Sequence, residues 1–118
     1  MPKIAAIVND LSLMTKIRNA AESIGLTVGF VGSKGQIDHY LKDSDLVIMD
    51  LENGFIDPIE LIERIKSNQA TEKIKLIGYL SHVNMPIKSQ AMAAGCDEVL
   101  SRFELNSNLK EILRAACR

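Results

Sequence analysis

Two aspartates each follow a short apolar segment, and their chemistry is the first indication of function. Asp10 comes after Asn9 and the apolar residues 4–8, and Asp50 directly follows the apolar residues 46–49. Carboxylates brought together at one sheet edge repel each other, and a hard divalent cation with oxygen ligands relieves that repulsion. The pattern therefore suggests Mg²⁺ between Asp10 and Asp50, although the two could equally serve only as a helix cap and a turn residue.

Three other polar residues follow apolar segments and join the candidates. Ser81 and His82 come after residues 74–80, and Arg102 lies shortly after the apolar residues that end at position 100. Ser81 beside His82 would suit nucleophilic catalysis, but sequence neighbours seldom point at each other, and the nucleophile-elbow motif G-x-S-x-G is absent. A hydrolytic or small-molecule-binding flavodoxin-like protein is therefore a distant alternative, and His82 is interpreted as an exposed loop residue.

Alternating strands and helices would position these residues. Apolar runs of strand length occupy residues 4–8, 26–31 and 46–49, and residues 74–80 and 98–100 are predicted as the fourth and fifth strands. Helical periodicity with capping or stop residues predicts helices over 12–24, from Ser33 to about residue 41, from Asp57-Pro58 onward, from Asn84 to residue 94, and over 105–116. Parallel strands need right-handed crossovers, so we predict an α/β, flavodoxin-like (βα)5 three-layer sandwich with a five-stranded parallel sheet. Ligands of such folds bind beyond the carboxyl ends of the strands.

Composition limits the classes of function. The 118 residues suffice for a single domain, residues 1–118, and their 47% apolar and 25% charged content is that of ordinary globular proteins. The net charge of −1 provides no basic field for nucleic acid or an anionic membrane surface. No signal peptide or membrane span is recognisable, and Cys96 and Cys117 lack metal-ligand spacing. We therefore predict a cytoplasmic, soluble protein with buried, reduced thiols.

Two segments resemble the response-regulator receiver domains of the CheY-like superfamily, and the resemblance extends from residue 4 to the last helix. One segment is Asp45-Leu46-Val47-Ile48-Met49-Asp50-Leu51, followed by Asp57, and the other is Ala94-Gly95-Cys96-Asp97-Glu98. By this resemblance Asp50 is the phosphoacceptor, and Asn9 and Asp10 match the acidic pair that positions Mg²⁺. The backbone carbonyl of Glu52 matches the third protein ligand of the metal.

The chain departs from the family's pattern at its switch positions. Gapless alignment places Leu80 at the family's Thr or Ser, Ser81 at the small residue after it, and Arg102 at the lysine that contacts the phosphoryl group. Phe103 replaces a proline, and Val99 replaces the switch aromatic. A charge-assisted hydrogen bond contributes roughly 1.5–3 kcal/mol, and a near-complete two-state switch needs about 5.5 kcal/mol. Leucine at position 80 would therefore remove much of the free energy that drives the switch, unless Ser81 supplies a hydroxyl.

The resemblance implies a non-enzymatic, stand-alone signalling domain, monomeric or weakly dimeric. A histidine kinase would phosphorylate Asp50 with the help of Mg²⁺, and the domain would act by contact with other signalling proteins. Asn9 in place of an acidic residue removes one charge from the metal site and weakens it. The alternative is a pseudo-receiver, a phosphorylation-independent interaction module, which the apolar replacements at Leu80, Val99 and Phe103 motivate.

Overall fold

The computed structural model describes residues 3–54, 56–82 and 84–117 and contains a five-stranded parallel sheet in the order β2-β1-β3-β4-β5. The strands are β1 Lys3–Ile7, β2 Thr27–Phe30, β3 Leu46–Asp50, β4 Lys75–Leu80 and β5 Glu98–Ser101. The helices are α1 Leu11–Ser23, α2 Ile37–Leu41, α3 Pro58–Ser67, α4 Met85–Ala94, α5 Arg102–Ser107 and α6 Leu109–Ala116. This strand order is the flavodoxin-like one, which confirms the predicted fold class.

Helices cover both faces of the sheet, because each strand places successive side chains on opposite sides. The α3 face, covered by α2, α3 and α4, buries a cluster that includes Met49, Ile62 and Leu80. The α1 face, covered by α1, α5 and α6, buries a cluster that includes Ile48 and Tyr79. Side chains alternate along β3, with Ile48 on the α1 face and Met49 on the α3 face. The side chain of Asp50, the next residue, therefore lies on the α1 face.

Several helix ends lie where their capping residues predict them. The Asp10 side chain accepts a hydrogen bond from the N–H of Leu13 and caps α1, and Asp57 and Asn84 cap α3 and α4 in the same way. Gly95 ends α4 with φ of +119°, a conformation that residues with a side chain rarely adopt. The helix-cap role of Asp10 is therefore confirmed.

Two predicted helices differ in detail from the observed ones. The closing helix begins at Arg102 rather than at residue 105, because Ser101 and Glu104 form a reciprocal capping box directly after β5. The same helix is interrupted at Asn108, which separates α5 from α6. Ser33 makes no capping hydrogen bond with its side chain and precedes a 3₁₀ turn, Lys34–Gln36, so that α2 starts only at Ile37.

Both cysteines are free thiols, but they differ in burial. Cys96 is buried, as predicted, whereas Cys117 is only partly buried against the α1 face. The prediction of two buried thiols is thus correct for Cys96 alone. Within residues 3–54, 56–82 and 84–117, no helix is long and apolar enough to cross a membrane.

Candidate functional site

Asp50 is the last residue of β3, and the turn after it restrains its side chain. The backbone N–H of Glu52 donates a 2.8 Å hydrogen bond to Asp50 Oδ1. Asn53 is buried and anchors the same turn, since its Nδ2 donates to the Asp50 carbonyl and its Oδ1 accepts from the N–H of Ile56, both at 2.8 Å. The half-buried carboxylate is therefore held on a rigid turn.

The environment of Asp50 perturbs its protonation. Burial raises its pKa above the ordinary 3.8, because a low-dielectric surrounding disfavours the charged form. The hydrogen bond from the Glu52 N–H lowers the pKa, the Glu52 charge raises it, and the nearby Tyr79 hydroxyl lowers it. The net shift is upward, so the Asp50 carboxylate is more basic than an exposed one.

Glu52 connects the turn after β3 with the loop after β4. Its Oε1 accepts a 2.9 Å hydrogen bond from the backbone N–H of Ser81. Ser81 and His82 are both exposed, so His82 has the predicted loop position and Ser81 lies at the rim of the site. The contact of Glu52 with this loop was not predicted, since the resemblance assigned a role only to its backbone carbonyl.

Asp10 and Arg102 form an ion pair at the same edge of the sheet. Asp10 Oδ1 accepts a 3.1 Å hydrogen bond from the N–H of Leu13, and Asp10 Oδ2 contacts Arg102 Nη2. The two side chains retain 23% and 43% of their exposure, so water screens their attraction only in part. Arg102 reaches Asp10 from the first turn of α5, and its guanidinium neutralises the carboxylate within the protein.

The predicted site residues thus fall into two bonded groups. Asp50, Glu52 and Ser81 form one, and Asp10 and Arg102 form the other. Asn9 is exposed between β1 and α1. Asp10 and Asp50 follow adjacent strands, as expected, but each carboxylate is bonded to a different partner. A cation shared between them therefore stays a prediction.

Tyr79 lies beside Asp50 and was not among the sequence candidates. The two are direct partners in the pairing of β3 with β4. Tyr79 belongs to the α1-face cluster, and strand alternation places Asp50 on the same face. Leu80, at the position of the family's switch hydroxyl, is instead packed into the α3 face at 1% exposure. Alternation within each strand, combined with the register of β3 against β4, places residues 48, 50, 77 and 79 on one face. The sequence alone does not give that register, so it could not have identified Tyr79.

Oxygen ligands of the kind that Mg²⁺ prefers are present at this edge, but protein hydrogen-bond donors already engage them. Asp10 accepts from Leu13 and Arg102, and Asp50 accepts from Glu52. No group of three or more His, Cys, Asp or Glu side chains is gathered for a metal in the part of the chain that the structure describes. The ligand chemistry fits Mg²⁺, and the ion would have to compete with Arg102 for Asp10.

The chain is similar to a curated protein and to solved structures that share its fold. No protein-family model matches the chain. A curated relative, the phosphate regulon transcriptional regulatory protein PhoB of Rhizobium meliloti (strain 1021), is 26% identical over an alignment of 122 positions that covers 98% of this chain and 54% of PhoB. The chain therefore spans about half the length of this relative.

Solved structures match the fold over its full extent. A response regulator from Thermotoga maritima superimposes with a TM-score of 0.82 at 18% identity, covering 99% of this chain and 98% of the other. The Mn²⁺-bound form of the response regulator Rcp1 superimposes with a TM-score of 0.83 at 11% identity, covering 100% and 96%. The chain therefore has the CheY-like fold of the response-regulator receiver domains, as its sequence motifs indicated, in a divergent form.

Proposed function

We propose that residues 1–118 act as a receiver-type signalling domain that accepts a phosphoryl group on Asp50. The observation that carries the proposal is the placement of Asp50, a half-buried carboxylate fixed on a rigid turn at the carboxyl end of the central strand. Ligand sites of doubly wound folds occur at this edge. The similarity to receiver domains in both sequence and fold supports the same conclusion.

In the proposed reaction, a carboxylate oxygen of Asp50 attacks the phosphorus of a phosphohistidine on a partner kinase. The P–N bond breaks as the P–O bond forms, and the partner's imidazole leaves with the bonding electron pair and takes up a proton. Arg102 would leave Asp10 and donate to the phosphoryl oxygens, which its planar guanidinium suits. Ser81, at the rim, would offer a hydroxyl to the same oxygens.

Mg²⁺ is part of the proposal in a limited way. Asp10, Asp50, Asn9 and the backbone carbonyl of Glu52 would hold it, and the ion would neutralise charge on the phosphoryl oxygens. The partner would be a histidine kinase or another signalling protein, and the domain would act as a monomer or weak homodimer. The net charge of −1 argues against direct nucleic-acid contact.

The experiment is incubation with acetyl phosphate and Mg²⁺, followed by intact-mass measurement. We expect one added phosphoryl group on the unmodified chain and none on Asp50→Asn. Asp43→Asn is the matched control, because Asp43 is an exposed aspartate in the loop before β3, at the opposite end of that strand. Absence of the adduct, or its persistence in Asp50→Asn, would reject the proposal.

A phosphorylation-independent pseudo-receiver is the second candidate, and the switch positions favour it. Leu80 is buried, Val99 is partly buried against the α3 face, and Phe103 is 79% exposed at the start of α5. Such a module would bind its partner equally well with or without charge at Asp50. Once a partner is identified, loss of binding in Asp50→Asn would count against this alternative.

A further inference from the structure

The hydroxyl of Tyr79 is a buried polar group whose hydrogen bonding is incomplete: its one polar neighbour is the Asp50 carboxylate. The residue is 3% exposed, and its hydroxyl has no hydrogen bond of ordinary geometry to any described residue. It is the one buried side-chain nitrogen or oxygen in this condition within residues 3–54, 56–82 and 84–117. Burial of an unpaired hydroxyl is costly, so folded proteins rarely retain one without a use.

The position of Tyr79 shows what the hydroxyl can reach. Tyr79 pairs directly with Asp50 across β3 and β4 and belongs to the α1-face cluster. Strand alternation places the Asp50 side chain on the same face. The carboxylate of Asp50 is close enough to perturb Tyr79, although the two groups do not form a hydrogen bond of ordinary geometry. The hydroxyl is thus an available donor at the candidate phosphoacceptor.

The charge state of Tyr79 agrees with this role. Burial raises its pKa above the ordinary 10, and the negative charge of Asp50 raises it further. The phenol therefore keeps its proton at neutral pH and acts as a donor, not as a base. A phosphoryl group on Asp50 would add strong acceptor oxygens beside this donor.

We infer that Tyr79 is a buried hydroxyl donor of the Asp50 site, in place of the Thr or Ser that receiver domains carry one residue later. The inference rests on the proposed function of Asp50. The donor comes from the α1 face of β4, whereas Leu80 fills the α3 face and has no hydrogen to donate. When Asp50 carries a phosphoryl group, the Tyr79 O–H donates to one of its oxygens with ordinary geometry, in place of its weaker contact with the carboxylate.

The test measures binding of beryllofluoride, a phosphoryl mimic, with Mg²⁺ to the whole chain. Tyr79→Phe retains the ring and removes only the hydroxyl, and Tyr40→Phe is the matched control because Tyr40 and Tyr79 are the only tyrosines. Loss of a hydrogen bond to a charged acceptor corresponds to about a ten-fold or greater loss of affinity. We expect that loss in Tyr79→Phe and unchanged affinity in Tyr40→Phe.

A second measurement follows the phenol itself. In protein labelled with ¹³C at tyrosine Cζ, two signals are expected, and Tyr79→Phe identifies one of them. Formation of the adduct should move the Tyr79 signal and leave the Tyr40 signal in place. Unchanged affinity in Tyr79→Phe, or a stationary Tyr79 signal on adduct formation, would overturn the inference alone. An unmodified chain that forms no adduct would reject the proposed function, and the inference with it.

Discussion

Leu80→Thr is the change that a family alignment would choose to restore a switch hydroxyl, and the structure predicts that it fails. Leu80 is 1% exposed and packs in the α3-face cluster with Leu51 and Ile62. Truncating a buried leucine to alanine costs about 2–5 kcal/mol, and threonine recovers part of that volume. The new hydroxyl would be buried among apolar side chains, which costs about 1–3 kcal/mol unless a backbone carbonyl accepts from it. We expect a loss of about 2–5 kcal/mol, a large part of the 5–15 kcal/mol typical of a domain.

Urea unfolding followed by circular dichroism, compared with Leu80→Val, separates the two contributions. Valine and threonine have nearly the same shape, so the difference between the variants isolates the hydroxyl. We expect Leu80→Val to lose about 1–2 kcal/mol and Leu80→Thr about 1–3 kcal/mol more. Neither should gain affinity for beryllofluoride. If Leu80→Thr were as stable as Leu80→Val, the new hydroxyl would have found an acceptor and the expected cost would be wrong. If it bound beryllofluoride ten-fold more tightly than the unmodified chain, position 80 would face the Asp50 site and the assignment of faces would be wrong.

Three further outcomes are expected. Gly78→Ala should lose about 1–3 kcal/mol in the same unfolding assay, because a Cβ there would lie 2.8 Å from Leu51 Cδ1, and Leu51 is buried. Asp50→Asn should stabilise the fold at pH 7 without divalent cations. The raised pKa means that the folded state binds the Asp50 proton more tightly than the unfolded state does. The unmodified chain therefore loses stability as pH rises above 3.8. The difference in stability between Asp50→Asn and the unmodified chain should shrink as pH falls toward that value. Ser101→Ala should cost about 0.5–2 kcal/mol, since Ser101 caps α5 with Glu104; a loss below 0.3 kcal/mol would show that the box is dispensable.

The fold was predictable because its signals are local. Short apolar runs identify buried strands, and cap residues such as Asp57 and Asn84 define where helices begin. The capping box of Ser101 and Glu104 was also visible as S-x-x-E, and reading it would have placed the start of α5 correctly. The break at Asn108 lacks such a signal, because no side-chain bond caps α6 there.

The site was predictable in position and less so in orientation. The carboxyl ends of β1, β3 and β4 had to meet at one edge, which placed Asp10, Asp50 and Ser81 near one another. Alignment by position directed attention to Leu80, although the strand turns that side chain toward the α3 face. The donor that faces Asp50 is Tyr79, one residue earlier. Contacts that depend on long side chains, such as that of Arg102 with Asp10, follow from tertiary geometry and leave no local pattern.

The carboxylates of the site already have partners, so phosphorylation of Asp50 would be an exchange of partners. Arg102 would give up an ion pair with Asp10 that, at its partial exposure, contributes at most about 1 kcal/mol. Its hydrogen bonds to a phosphoryl group would contribute about 1.5–3 kcal/mol each. The balance favours transfer of the guanidinium, which also frees Asp10 Oδ2 as a metal ligand. Movement of Arg102 and binding of Mg²⁺ should therefore reinforce each other. Because Arg102 is the first residue of α5, the movement would act first on that helix, including its exposed second residue, Phe103.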